Sequence, residues 1–531
     1  MATQSLNKRR TIWIIIGTMV GILLASLDSN IVSTAMPKII GSLNGTALYT
    51  WPVTVYMLCM TISIPIVGKL SDVYGYKPIY LLGIIVFLVG SIFCGFSQSM
   101  MQFIAFRGLQ GIGGAVLISN TVAIIGILFP PADRAKYGSF VSAASGIASL
   151  IGPVMGGLIT DNLNWRWVFF VNIPLGAIAL FIVVFAFPAS HATAGSKKID
   201  YAGAAVMIIA LVPMLLALSW GGEKYSWNSI QIIGMIAFAV IMLVIFGLIE
   251  QKASDPIISM SLFKNSIFDF SAIEMFLFNG VLMTCIIFVP LFLQNVKGLT
   301  ASGSGAIITP MLVSLVIGVM ISGLIISKTC RYKLLSIVGF LVMGAGAVVL
   351  MMLNINSSNV IIVISMIVMG LGIGVSMAIF NVTAQNVFPN SQLGAVTSSI
   401  QFSGRIGQTI ASSVLGTVFG NALNNGVRTL DVSKFPSGIA QKLKNSNTIT
   451  DSASMSALKP LVPAKLLSNF DILLSRIKQV LSNSIHLVFI ICAVITLASL
   501  IIVLFMKEVP MSKKPSTEEP EQVSDDAEAT E

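Results

Sequence analysis

The sequence predicts an all-α polytopic membrane protein made of two six-helix bundles plus two inserted helices, fourteen spans in all. Three observations lead there. Of the 531 residues, 55% are apolar and only 10% are charged, where a soluble domain carries about 25% charged residues. The apolar residues gather into runs of the ~20 residues that a helix needs to cross a bilayer. One stretch of the first half then returns in the second. "GLQGIGGAVLISNTVAIIGILFP" (108–130) is echoed by "GLGIGVSMAIFNVTAQNVFP" (370–389), and each precedes a helix of small residues, "SFVSAASGIASLIGPVMGG" and "SSIQFSGRIGQTIASSVLG". Gly-rich membrane helices share a general likeness, but the common order of Gly cluster, Phe-Pro and small-residue helix favours duplication. Duplicated six-span bundles suit a transporter with its substrate site near the midplane.

The spans follow in order. Core 12–34 is too long for a signal peptide and has no small-residue cleavage site. Cores 51–70 and 79–97 flank a loop marked by Gly and Pro, which punctuate helices. Cores 103–127 and 138–160 carry the first copies of the two repeated stretches, and 166–187 closes the first bundle. Cores 201–220 and 230–249 have no counterpart elsewhere and read as an inserted pair. Cores 267–293, 304–326, 334–353, 360–382, 393–419 and 485–506 form the second bundle. The expected divisions are residues 1–190, 191–255, 256–510 with a long outer segment 421–484, and a tail 511–531. That tail, ending "EEPEQVSDDAEATE", is too acidic and apolar-poor to fold.

Charge placement orients the chain. With both termini cytoplasmic, the inner segments hold Lys8, Arg9, Arg10, Lys69, Lys77, Arg134, Lys136, Lys197, Lys198, Lys252, Lys264, Lys328, Arg331, Lys333, Lys507, Lys513 and Lys514. The short outer loops hold only Lys38, Arg166, Lys224 and Lys297, as the positive-inside rule requires. The net charge of +10 is thus mainly a topology signal and gives no ground for nucleic-acid binding. The five cysteines show neither disulfide nor metal-ligand spacing, so no metal site is expected. Two histidines, His191 and His486, offer little for His chemistry. No nucleotide-binding P-loop is present, so ATP would not drive transport directly; an ion gradient, of protons or of sodium, would do so, with no cofactor and no enzymatic chemistry expected. One charge moved through 100 mV supplies roughly 2.3 kcal/mol.

Several motifs then resemble a known family. "GKLSDVYGYKP" (68–78) resembles the loop signature of the major facilitator superfamily, and "RGLQGIGGA" (107–115) its span-4 motif. "GIASLIGPVMGG" (146–157) resembles the span-5 antiporter motif. "LDSNIVSTAMP" (27–37) and "WRWVFFVNIPLG" (165–176) are similar to hallmarks of the fourteen-span drug:proton antiporters, the QacA-like and EmrB-like multidrug exporters. The resemblance implies the major facilitator fold and a multi-pass protein of the cell membrane. It also implies antiport of protons against lipophilic, often cationic, drugs or antiseptics by a monomeric carrier. The loop departs from the family pattern at Val73 and Tyr76, where the pattern has bases, so that of the basic residues after Asp72 only Lys77 remains.

The candidate residues are the polar ones in apolar surroundings. A carboxylate at the bilayer centre costs roughly 2.5–3.5 kcal/mol on insertion scales, so Asp28 in the first span needs a reason. A carboxyl removed from water titrates nearer neutral pH, as a proton carrier must. The alternative is permanent pairing with a buried Arg. Glu274 lies in the span that opens the second bundle and is expected to face one cavity with Asp28, as a second proton site or a cation counter-charge. Arg107 and Arg405 are the embedded bases, and the family resemblance assigns Arg107 to proton coupling. Asp72, with Gly68, Gly75 and Lys77, is expected to gate, its carboxylate facing the positive end of a neighbouring helix. Gly146, Gly152, Pro153, Gly156 and Gly157 would permit close approach and bending, or simply pack. Asn30, Gln110, Asn279, Gln294, Gln385 and Arg405 are candidates for a substrate cavity, with Asn120, Asn381, Gln401 and Gln408 beside them. In the outer segment, apolar residues of 466–485 recur at helical spacing. They suit a helix on the outer membrane surface, a cover over the exit, or a plain linker. The runner-up function is export of an endogenous lipid or amphiphilic metabolite, and a membrane receptor on an idle scaffold is a third.

Overall fold

In the computed structural model the described residues are 8–43, 48–188 and 200–509, apart from 223, 254, 431–434, 444–448, 450–457, 459, 461 and 463–465. The predicted tail 511–531 and parts of the outer segment lie outside them. The first bundle is α1 (Lys8–Ser42), α2 (Trp51–Tyr74), α3 (Tyr76–Phe96), α4 (Met100–Leu128), α5 (Pro131–Asn162), and the pair α6 (Trp167–Phe170) and α7 (Asn172–Ala186). The inserted helices are α8 (Tyr201–Trp220) and α9 (Ile230–Lys252). The second bundle is α10 (Ser266–Leu291), α11 (Ala301–Thr329), α12 (Lys333–Met351), α13 (Asn359–Asn386), α14 (Leu393–Arg428), the short α15 (Ser437–Leu443) and α16 (Leu467–Phe505).

Local chemistry sets many of the helix starts. Ser99, Asp200, Ser229, Asn265, Thr300 and Ser358 each accept a bond from a first-turn N–H of α4, α8, α9, α10, α11 and α13 respectively. Such caps satisfy donors that the helix itself leaves unpaired. Between α2 and α3 the chain turns on a single residue, Gly75, at φ 89°. That region is costly for a residue with a side chain and free for glycine, so one Gly lets two spans follow each other without a loop.

The packing repeats between the halves. In the first bundle α1 packs on α5 and α7, α2 on α4, and α3 on α4 and α7. In the second, α10 packs on α14 and α16, α11 on α13, and α12 on α13 and α16. The halves meet through α2 against α14 and α5 against α11, the same two positions exchanged. Glycines make these contacts close. A Cβ at Gly68 would strike Ser398 and the Gly394 carbonyl of α14, and one at Gly146 would strike Val316 of α11.

Each of the fourteen expected spans is helical. Thirteen helices among the described residues are long and apolar enough to span a membrane. The expected fourteenth, α14, has 36 residues, about 54 Å at 1.5 Å each, but is more polar because it walls the central cavity. The outer segment differs from expectation. Residues 467–484 form neither a separate surface helix nor a linker but the first half of α16, which runs unbroken into the last span. The apolar face, Phe470, Leu473, Ile477 and Leu481, is buried in the second bundle's core. Phe435 stacks edge-on to Phe470 at 6.1 Å, and Val480 meets Gly426 of α14. Helical spacing was legible; its covering partner lay in α14, which continues past the expected end at 419.

Candidate functional site

Asp28 is fully buried, and three donors from two helices converge on it. Arg107 Nη1 of α4 donates to Oδ2 at 2.6 Å. Gln110 Nε2, one turn along α4, donates to Oδ1 at 2.8 Å, and Asn172 Nδ2 at the start of α7 donates to Oδ1 at 2.8 Å. The spacing of Arg107 and Gln110 sets them on one face of α4, and Arg107 Nη1 also donates to Gln110 Oε1 at 2.7 Å. Asn172 Nδ2 bonds Ser91 Oγ of α3 at 3.0 Å. The guanidinium lies over the Tyr56 ring, 4.0 Å from its centroid, a cation–π contact worth up to about 2 kcal/mol when desolvated. Arg107 is 2% exposed and Asp28, Gln110 and Asn172 are 0% exposed. The pair is neutral as a unit, and breaking it would leave one bare charge on each side.

The position of Asn172 explains why "WRWVFFVNIPLG" stands out in the sequence. The motif breaks the sixth span into α6 and α7, and the break delivers the Asn172 amide to Asp28. Asn172, Ser91 and Tyr56 were missed by sequence reasoning. The motif could have flagged Asn172; nothing local marks Ser91 or Tyr56.

Between the halves lies a cavity of 250 Å³, walled by α1, α4, α5, α10, α13 and α14. Asn279, Gln385 and Arg405 line it, with Asn381, Gln401 and Gln408. Three other candidates stand elsewhere. Gln110 belongs to the Asp28 cluster. Asn30 bonds the Ser26 carbonyl at 2.7 Å and Ser149 Oγ at 3.4 Å, in the α1–α5 contact. Gln294 donates to Ser304 Oγ at 3.3 Å, on the turn between α10 and α11.

Glu274 also departs from expectation. It does not share a cavity with Asp28: neither carboxyl lines the central cavity, where α1 contributes Ile22 and Ser26 and α10 contributes Met275, Phe278, Asn279 and Leu282. It is 0% exposed, neither carboxylate oxygen is engaged at hydrogen-bonding geometry, and Ser499 of α16 is its polar neighbour. The expected counter-charge for a cationic substrate is therefore absent from the wall: among the described residues no carboxylate lines the cavity.

Asp72 of α2 ties the two halves together at the start of α14. Its Oδ1 and Oδ2 accept from the Gly394 and Ala395 N–H groups at 3.0 and 2.9 Å, at the start of α14. The Tyr76 hydroxyl donates to Oδ1. Tyr76 thus supplies a donor where the family pattern has a base. Lys77 is not in this group: its Nζ bonds the Val184 and Phe187 carbonyls at 2.7 and 3.0 Å, at the end of α7. Arg134 Nη1 of α5 bonds the Gln385 carbonyl of α13 at 3.1 Å, a further contact between the halves. Of the antiporter-motif residues, Gly152 and Gly156 face Asn30, Ile31 and Thr34 of α1, whereas Gly157 meets nothing and Pro153 is exposed. A helix cap is worth about 0.5–2 kcal/mol, so Asp72→Ala is expected to shift the closed gate toward open by about tenfold, at 1.4 kcal/mol per decade. Maleimide labelling of a cysteine placed at Ser142 on the cavity wall, in a chain with its own cysteines replaced, checks this. An unchanged labelling rate would show that the Asp72 bonds do not hold the gate.

Paired six-helix halves enclosing a central cavity, with a buried ion pair in the first half, are the architecture of a membrane carrier. The chain belongs to the major facilitator superfamily, whose sequence pattern it matches over residues 18–412. It is a multi-pass membrane transporter and not an enzyme. It is 37% identical to the multidrug transporter protein MdtP of Bacillus subtilis (strain 168), covering 98% of this chain and 97% of that one. With multidrug resistance protein 3 of the same organism it shares 34% identity over 95% and 97% of the two chains. Its fold is similar to that of the proton:xylose symporter XylE bound to 6-bromo-6-deoxy-D-glucose, at TM-score 0.59 and 14% identity, covering 85% of this chain and 96% of that one.

Proposed function

We propose that the protein exports lipophilic drugs from the cell by alternating access, in exchange for protons, acting as a monomer in the cell membrane with both termini in the cytoplasm. The observation that carries this reading is the Asp28–Arg107 pair, buried beside a cavity that divides the two halves. Arg107 occupies the Asp28 carboxylate while the pair is closed. When rocking of the halves is accompanied by a shift of α4 against α1 within the first half, the pair loosens, Asp28 takes a proton, and its return to Arg107 expels it. The buried amides of Gln110 and Asn172 keep the carboxylate solvated while no water reaches it. Glu274 is a second carboxyl for a proton, served by its own bundle rather than by the substrate. The two Bacillus relatives, matched nearly end to end and named for multidrug transport and resistance, support drug as the cargo.

The test is proton release. Purified full-length chain in weakly buffered detergent is mixed with uncharged, anionic and cationic lipophilic dyes while pH is recorded. Dye binding is expected to release protons in stoichiometric amount, and Asp28→Asn is expected to release fewer. Dye binding with no proton release in the parent chain would sink the antiport reading.

A further inference from the structure

We propose that the central cavity selects lipophilic anions, and that Arg405 is the group that recognises them. The inference rests on the reading of the cavity as the substrate site, and it reverses the charge preference expected from the sequence.

The argument begins with cost. Arg405 lies twelve residues into α14 (405 − 393), about 18 Å from the helix start, deep in the membrane. A guanidinium there is expensive unless it is paired or serves a ligand. Among the described residues Arg405 makes no ion pair, and its one hydrogen bond runs from Nη1 to Gln408 Oε1 at 3.2 Å. The side chain is half-buried, the remainder opening on the cavity that it lines. Arginine presents five donors in a planar fork that fits a carboxylate or sulfonate edge-on, and four of them have no hydrogen-bond partner among the described residues.

Its orientation is built rather than accidental. Gln408 Nε2 donates onward to Asn279 Oδ1 of α10 at 3.0 Å, and Asn279 Nδ2 donates to the Met275 carbonyl at 2.8 Å. This relay turns Gln408 Oε1 toward Arg405 and fixes the guanidinium from one side. Gly404 and Gly407 allow it, since a Cβ at either would strike Asn279 or the Phe276 backbone. The second cation on the wall, Arg134, is held by the Phe129 and Gln385 carbonyls at 2.9 and 3.1 Å. The lining therefore carries two positive groups and no carboxylate among the described residues. Asp28 is neutralised by Arg107, and Glu274 does not line the cavity. In a low-dielectric cavity such a field draws in an anion and opposes a cation. Apolar walls from Ile22, Ile118, Ile125, Val141, Phe278 and Leu282 take the rest of the molecule.

The cavity's 250 Å³ falls just under the about 300–1,000 Å³ of drug sites, so small matched probes suit it. The experiment measures equilibrium binding of radiolabelled 1-naphthaleneacetate, its amide, and 2-(1-naphthyl)ethylammonium to purified full-length chain, with no gradient present. The acetate is expected to bind at least about tenfold more tightly than the ammonium, or ~1.4 kcal/mol. Arg405→Gln is expected to weaken the acetate by about ten- to a hundredfold and leave the amide unchanged, which also reports that the variant is folded. Should Arg405→Gln not fold, Arg405→Lys, which keeps the charge, is expected to retain the acetate-over-ammonium preference at reduced affinity. Equal or tighter ammonium binding, no binding by any probe, or acetate affinity untouched by Arg405→Gln would overturn the proposal. Because no proton gradient enters, these outcomes are independent of whether dye binding releases protons from the parent chain.

Discussion

Asp28→Asn is expected to abolish pH-gradient-driven accumulation while leaving exchange of substrate across the membrane intact. Asparagine has nearly the shape of aspartate and can still accept from Gln110 or Asn172, but it binds no proton in the physiological range. A proton moved through 100 mV is worth roughly 2.3 kcal/mol, about fiftyfold in accumulation at 1.4 kcal/mol per decade. The accumulation ratio in proteoliposomes should therefore fall from about fiftyfold to one at that potential. Counterflow of labelled against unlabelled substrate should continue, because it needs the halves to rock but not the proton. A variant that still concentrates substrate up to the parent's ratio would remove Asp28 from the coupling pathway. A variant dead in both assays would show instead that the ion pair is needed for the fold or for rocking itself.

The parts of this protein legible in the sequence are those governed by local rules. Helical spans follow from hydropathy, and the duplication shows as a repeated order of small residues. Asp28 and Arg107 stand out because a charge in an apolar run is costly wherever it points. What stayed illegible was direction. Glu274 and Asn279 are five residues apart in one helix, yet one is buried toward α16 and the other faces the cavity. Only the rotation of α10 against α14 and α16 decides that, and no residue near Glu274 encodes it. Lys77 illustrates the same point, since the end of α7 captures it through carbonyls that no sequence motif marks. The span 393–419 is legible despite its lower hydropathy, which has its cause in the polar face that α14 turns to the cavity.

Arg107→Met tests the pair from its other side and should have the largest effect on stability. Removing one partner of a buried ion pair costs about 3–5 kcal/mol, because the remaining charge is stranded away from water. Here Asp28 would keep only the Gln110 and Asn172 amides, and Tyr56 would lose the cation over its ring. The double variant Asp28→Asn/Arg107→Met removes both charges, and Gln110 Oε1, freed from Arg107, can accept from the new amide. Its thermal midpoint in detergent is expected to lie above that of Arg107→Met alone, which only a coupled pair predicts. Additive losses would mean that the 2.6 Å contact contributes no interaction energy and that each residue acts through its own packing. Restored stability in the double variant must come without restored accumulation, since no proton site remains at position 28. That combination separates what the pair does for the fold from what it does for transport: the fold needs the charges cancelled, and the carrier needs one of them to be a proton's alternative.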